Sequence, residues 1–251
     1  MIKAIFFDQD GVIVDTERDG HRVAFNQTFA ELGYKVEWSV QRYHELLQIG
    51  GGKERMLHQL RTEGFGVPVA PADEAAVIQK LHLRKTDVFI ELLEAGHLPL
   101  RPGIHRLMRE AQAASLSLGV CTTSNERSAA AITGKLLADI RFAFILAGDV
   151  VKKKKPDPEI YTLGLARAGL RPEEVVVVED SNIGTRAAKA AGCRVVATVN
   201  GYTRDEDLSA ADLVVSDLGE PGAPAELIAS RRPADGFAGV IDLAFLRRHF
   251  A

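Results

Sequence analysis

The sequence runs to 251 residues, 46% of them apolar, with 34 acidic against 31 basic side chains and a net charge of −3. That is enough chain for one large domain, or for a core with a smaller insert, and enough apolar mass for a full hydrophobic core. The near balance of charge gives no electrostatic case for nucleic acid or an anionic membrane, and no apolar run reaches the roughly 18 residues that span a bilayer.

The chain opens on Ile2-Lys3-Ala4-Ile5-Phe6-Phe7, which reads as a buried strand and lacks the layout of a signal peptide. Asp8-Gln9-Asp10-Gly11 follows at once. From about Arg18 to Ala95 no buried strand is expected. Apolar residues there recur at helical intervals, as in Val23, Phe29 and Leu32, or Val77, Leu81, Val88 and Leu92. This is a helical block inserted after the first strand, and Leu98-Pro99-Leu100-Arg101-Pro102-Gly103 reads as the hinge that leaves it.

Short apolar runs then alternate with helical segments. Strands are expected at Leu118 to Cys121, Phe144 to Leu146, Val175 to Val178, Val195 to Ala197 and Leu213 to Val215. Helices are expected at Ile104 to Ala114, Glu126 to Ala138, Pro158 to Ala168 and Asn182 to Ala191. The alternation predicts an α/β fold, a doubly wound, Rossmann-like parallel sheet core with a smaller inserted helical cap domain. Residues 1–16 and 97–251 form the core and residues 17–96 the cap. Gly219 to Gly239, rich in Gly, Pro and Ala, reads as a surface loop, and Val240 to Phe250 as either a docked helix or a strand. Cys121 and Cys193 lie in or beside apolar runs, so two buried thiols in a reducing cytosol are expected rather than a disulfide.

Open α/β sheets bind ligands at the carboxyl ends of their strands, so the acids that end two strands carry the chemistry. Asp8 and Asp10 point the same way if the backbone is still extended, and Gly11 lets the chain turn. Glu179-Asp180 closes a second buried strand. Thr122-Thr123-Ser124-Asn125 offers hydroxyls and free N–H groups at a helix amino terminus, a natural phosphate cradle. Lys152 to Lys154 read as solvated surface, whereas Pro156 restricts Lys155 to an extended conformation and starts the next helix. Acids for a hard cation, hydroxyl and N–H donors, and a fixed ammonium together match phosphoryl transfer.

In that order Asp8-x-Asp10-Gly11, Thr122, Lys155-Pro156 and Glu179-Asp180 resemble the motifs of the haloacid dehalogenase superfamily, and the helical block resembles its cap. More narrowly, roughly Ile2 to Asp217 is similar to the CbbY proteins, phosphatases of xylulose-1,5-bisphosphate in organisms that fix carbon through Rubisco. Stretches that carry this likeness include Asp15-Thr16-Glu17, Gly51-Gly52-Lys53-Glu54-Arg55 and Ala147-Gly148-Asp149. The resemblance implies a cytoplasmic, monomeric phosphatase of a small sugar phosphate, with Asp8 as nucleophile and Asp10 as acid and base. Thr122 and Lys155 would hold the phosphoryl oxygens. Mg²⁺ would be bound by Asp8, Asp180 and the Asp10 carbonyl, with Glu179 a further candidate.

For the cap, Gly51 and Gly52 with Lys53 and Arg55 are expected to grip a second phosphate, with Lys85 a weaker candidate. Thr123, Ser124 and Asn125 would contact substrate from the core. Glu17 could accept sugar hydroxyls, and His21 reads as a packing or capping residue. A β-phosphoglucomutase-like isomerase and a non-catalytic sugar-phosphate binding protein remain alternatives; a receiver-type signalling domain is disfavoured by the first-strand position of Asp8.

Overall fold

The computed structural model describes residues 1–251, apart from the side chain of Arg18. Strand β1 (Ala4–Phe7) is the centre of the sheet. A single turn at Glu17–His21 leads into helices α1 (Arg22–Glu31), α2 (Val40–Leu47), α3 (Gly52–Thr62) and α4 (Glu74–Glu94). The chain then alternates through α5 (Ile104–Ala113), β2 (Ser117–Cys121), α6 (Glu126–Leu136), β3 (Phe144–Leu146), α7 (Glu159–Ala168) and β4 (Val175–Glu179). It continues through α8 (Asn182–Ala190), β5 (Arg194–Thr198), β6 (Leu213–Val215), β7 (Leu227–Ser230) and α9 (Leu243–His249). The sheet order is β3-β2-β1-β4-β5-β6-β7, parallel throughout except for β7. The doubly wound α/β sheet expected from the alternation is present.

The apolar runs are strands because both of their faces are covered. Ile5 and Phe7 pack with Val120, Val176 and Val178 on one side, while Ala4 and Phe6 pack with Cys121, Val175 and Val177 on the other. Fully burying side chains of this size stabilises the fold by about 1.5–3 kcal/mol each. Helices α1 to α4 gather a third cluster around Phe25, Phe29, Trp38, Tyr43 and Phe65, which also takes in Tyr202 from the loop after β5. Cys121 and Cys193 are both free and buried. Among the described residues no helix is long and apolar enough to cross a membrane.

Three details depart from the sequence reading. The Gly/Pro-rich stretch is not all loop, because β7 lies inside it, antiparallel to β6 at the sheet edge with all four residues exposed. A short exposed edge strand has no buried face to leave a pattern. Val240 to Phe250 resolves to a helix, capped by Asp242, whose side chain accepts from the Phe245 N–H at 2.6 Å. Helix α7 starts at Glu159 with Pro158 at its cap, not at Pro156.

The hinge does structural work through Arg101. Its partly buried guanidinium donates to the carbonyls of Gly11, Val199 (2.5 Å) and Ser216 (2.9 Å) and to Thr198 Oγ1 at 3.1 Å. One side chain therefore ties the loop after Asp10 to the ends of β5 and β6. Removing it would orphan several carbonyls at once. Arg101→Met is expected to lower unfolding free energy by about 3 kcal/mol in a urea titration.

Candidate active site

The register of the sheet builds the site. Phe7 lies opposite Val178, and the Asp8 N–H donates to the Val178 carbonyl at 2.9 Å, so Asp8 and Glu179 end adjacent strands side by side. Lys155 arrives from the segment before α7. Its ammonium donates to Asp8 Oδ1 and to Glu179 Oε1, each at 2.6 Å, and to the Cys121 carbonyl at 3.0 Å. The Tyr161 hydroxyl donates to the same Glu179 oxygen, and Lys155 Nζ lies 5.1 Å from the centre of the Tyr161 ring. Asp180 is fixed from the β5 side by Asn200, whose amide donates to Oδ2 at 2.7 Å. A Cβ on Gly11, which has φ +78°, would lie 2.0 Å from that oxygen; only glycine lets the loop approach so closely.

Asp8, Glu179 and Asp180 are buried, and each can place a carboxylate oxygen within 4.8 Å of the others. Burial and the charges of Glu179 and Asp10 push Asp8 up to about 8 against the pull of Lys155. Burial, Glu179 and Asp8 likewise push Asp180 well above the usual carboxylate range. Burial would lower Lys155, but Asp8 and Glu179 outweigh it and hold it above its ordinary value. Three crowded carboxylates facing one ammonium form a donor set suited to a hard divalent cation. Glu179 spends one oxygen on Lys155 and Tyr161 and the other on the Asp180 N–H at 3.2 Å. Asp8 and Asp180 are therefore the carboxylates with oxygens left to offer, and Glu179 anchors the lysine.

Asp10 has the opposite environment. It accepts from Thr16 Oγ1 at 2.5 Å and from the Ser124 hydroxyl, and His21 Nε2 lies 3.0 Å from its Oδ1. Burial raises it, but His21, Ser124 and Thr16 together hold it well below the usual carboxylate range. Lys85 Nζ stands 2.8 Å from His21 Nδ1. With Nδ1 accepting from that ammonium, the proton of the imidazole sits on Nε2, facing Asp10. Burial lowers Lys85 to about 8, against the pulls of Asp10 and Glu17.

Two adjoining cavities meet at Asp10. The inner one, of about 60 Å³, is lined by Asp8, Thr122, Lys155 and Asp180; the outer one, of about 250 Å³, by His21, Lys53, Lys85 and Ser124. Glu17, Arg55 and Thr123 line both. Gly51, Gly52 and Asn125 border the outer cavity, and Asn125 also caps α6, accepting from the Arg127 N–H at 2.8 Å. Thr122 Oγ1 accepts from the Ser124 N–H at 3.0 Å, which orders the cradle before α6.

Some expectations shift. Glu17 accepts from the Tyr43 hydroxyl at 2.6 Å, and Arg55 is held by the Ile49 carbonyl at 2.9 Å and by Tyr43 at 3.2 Å. His21 touches Asp10, so it belongs to the site and is not simply packing. Lys152 and Lys153 are exposed as expected, but Lys154 lines the outer cavity. Asn200, Tyr161 and Thr16 were not anticipated. Asn200 follows a buried strand at its carboxyl end, so the rule that found Asp8 could have found it too.

Known proteins resemble this chain over most of its length. The chain belongs to the haloacid dehalogenase-like hydrolases, whose family model matches residues 2–192. It is 49% identical to a CBBY-like protein of Arabidopsis thaliana over 223 residues, 87% of this chain and 70% of that protein. It is 42% identical to the protein CbbY of Cereibacter sphaeroides over 232 residues, 90% of this chain and 97% of that one. The crystal structure of a CbbY variant from Rhodobacter sphaeroides in complex with xylulose-(1,5)bisphosphate superposes with a TM-score of 0.80 at 40% identity. It covers 88% of this chain and 97% of its own. The chain is thus a CbbY-type phosphatase of this hydrolase family.

The raised carboxylates give a direct expectation. Their folded-state values lie above the unfolded ones, so without a cation they favour the fold at low pH. That contribution is lost as pH climbs from the ordinary 3.8 to about 8. A divalent cation competes with those protons. Added Mg²⁺, Mn²⁺ or Ca²⁺ is therefore expected to raise the melting temperature more at pH 8 than at pH 5. Asp180→Asn is expected to abolish the difference; equal shifts at both pH values would place the ion elsewhere.

Proposed function

We propose that this enzyme hydrolyses a sugar phosphate, with xylulose-1,5-bisphosphate as its substrate, through a phosphoryl group carried transiently on Asp8. The observation that carries this reading is the Asp8–Lys155 pair. One oxygen of Asp8 is pinned at 2.6 Å by an ammonium, which leaves the other for chemistry, and Asp8 lines the inner cavity together with Thr122 and Asp180. A carboxylate held this way is positioned for in-line attack on phosphorus, with Lys155 and the Thr122 hydroxyl placed for its equatorial oxygens. Phosphate monoesters react so slowly in water that the site must remove on the order of 20 kcal/mol of barrier or more. Alignment and charge neutralisation are the means these residues offer.

Mg²⁺ would be held by the Asp8 and Asp180 oxygens, joined, as the family resemblance implies, by the Asp10 carbonyl, and when bound it would neutralise charge between nucleophile and phosphoryl group. Asp10 stands at the junction of the cavities, where the departing oxygen and the incoming water must pass. Held ionised by Thr16, His21 and Ser124, it carries no proton, and loss of one of those partners would raise its basicity for taking a proton from water in the second step. Its acid role in the first step requires a substrate oxygen to replace one of those three partners. The choice of a bisphosphate is supported by the similarity to CbbY and by the basic lining of the outer cavity.

A phosphate-release screen over mono- and bisphosphorylated sugars with Mg²⁺ tests the reading. Xylulose-1,5-bisphosphate is expected to be the best substrate, and Asp8→Asn to lower turnover by at least about a thousandfold with the fold intact. Turnover of that variant within tenfold of the parent would remove Asp8 from the chemistry. A product with its phosphate moved to another carbon would instead mark a mutase.

A further inference from the structure

The outer cavity carries a cation that belongs to the core and that the sequence reading left in solvent. Lys154 immediately precedes the lysine on Asp8, yet it faces the other cavity, with its side chain only 14% exposed. Its ammonium lies 3.2 Å from Asp149 Oδ1 and 3.1 Å from Glu54 Oε1. The other oxygen of Asp149 accepts from Lys53 of the cap. One carboxylate therefore bridges two ammoniums, one from the core and one from the cap.

The strengths of these pairs decide which cations can be given up to a ligand. Arg55 is buried against the Ile49 carbonyl and Tyr43, and Glu17 lies 3.9 Å away. Lys85 is buried against His21 and over the rings of Phe25 and Phe89. Pulling either away would leave buried polar partners unpaired. The carboxylates that hold Lys53 and Lys154 are different: the side chains of Asp149 and Glu54 are 61% and 43% exposed. Such pairs are screened by water and weak, so a doubly charged anion can displace them.

The backbone agrees. A Cβ on Gly51, which has φ +102°, would lie 2.9 Å from Lys154 Nζ. The cap turn therefore meets the core at this ammonium. His82 borders the same cavity, where burial and the neighbouring Lys85 and Lys53 depress it to about 4.

We propose that Lys154, together with Lys53, binds the second anionic group of the substrate, and that Asp149 is an internal counter-ion which this group displaces. The assignment rests on the phosphatase reading above and adds a core lysine to the cap cations Arg55 and Lys85 that line the same cavity. It makes Lys154 a specificity-determining residue set by the core, beside the lysine that serves the chemistry.

The test compares Lys154→Met, which keeps most of the apolar stem, with Asp149→Asn. For Lys154→Met, kcat/KM for xylulose-1,5-bisphosphate is expected to fall about tenfold or more through KM, well beyond any fall for p-nitrophenyl phosphate. For Asp149→Asn, KM for the bisphosphate is expected to fall. Equal losses on both substrates, or a loss in Asp149→Asn as large as in Lys154→Met, would make the cluster a latch between cap and core and overturn the assignment. A second readout separates it from the substrate reading: inhibition of p-nitrophenyl phosphate hydrolysis by a pentitol 1,5-bisphosphate against the pentitol 5-phosphate. A preference for the bisphosphate that disappears in Lys154→Met supports the site even if the parent never cleaves xylulose-1,5-bisphosphate. No preference in the parent, or one untouched by the substitution, contradicts it.

Discussion

A buried ammonium shared by two carboxylates is the constraint on which the active centre depends. Lys155 sits between Asp8 and Glu179, and all three are out of water. Each charge alone would be expensive to bury; together, with Tyr161 and the Cys121 carbonyl completing the donors and acceptors, they can be accommodated. The arrangement needs β1 and β4 adjacent and in register, so that the residues after Phe7 and Val178 emerge level with each other. It also needs the loop beyond Asp10 held close, which Gly11 permits and Arg101 enforces. Much of the sheet order can be understood as the support for that one triad.

The same loop places two aspartates, two residues apart, in opposite electrostatic settings. Asp8 faces other carboxylates and is driven up; Asp10 faces hydroxyls and an imidazole and is driven down. A divalent cation held by Asp8 and Asp180 would displace the proton that crowding favours on Asp8 and leave it ionised as a nucleophile. Asp10, by contrast, becomes a proton carrier only when one of the partners that hold it ionised is displaced. The cap contributes to that contrast, because His21 and Lys85 come from it, while Thr16 and Ser124 come from the core side of the cleft. Movement of the helical block would therefore change the surroundings of Asp10 more than those of Asp8.

Most of the fold was legible because its strands are apolar on both faces, and a run such as Val175 to Val178 admits few other readings. The core of the site was legible for a related reason: polar residues at the ends of such runs have few purposes. What escaped depended on partners distant in sequence. Nothing local marks Tyr161 as the second donor to Glu179, or Arg101 as the tie between Gly11 and Ser216. Lys154 looked solvated because it stands in a run of four lysines, and the cap residues that approach it, Gly51 and Glu54, are distant in sequence. His21 was assigned to packing on similar grounds, since its role is set by Asp10 and Lys85, 11 and 64 positions away. Strand β7 was missed because an exposed edge carries no burial pattern.

The central claim is that phosphorus is transferred first to Asp8 and only then to water. Each transfer would invert the configuration at phosphorus, so the two together restore it. A phosphorothioate monoester made chiral at phosphorus with sulfur and two oxygen isotopes, hydrolysed in water of the third isotope, gives a chiral thiophosphate that reads out that count directly. Net retention of configuration is the result expected here. Net inversion would mean that water attacks the substrate in a single step, and that Asp8, however well held by Lys155, is not the nucleophile.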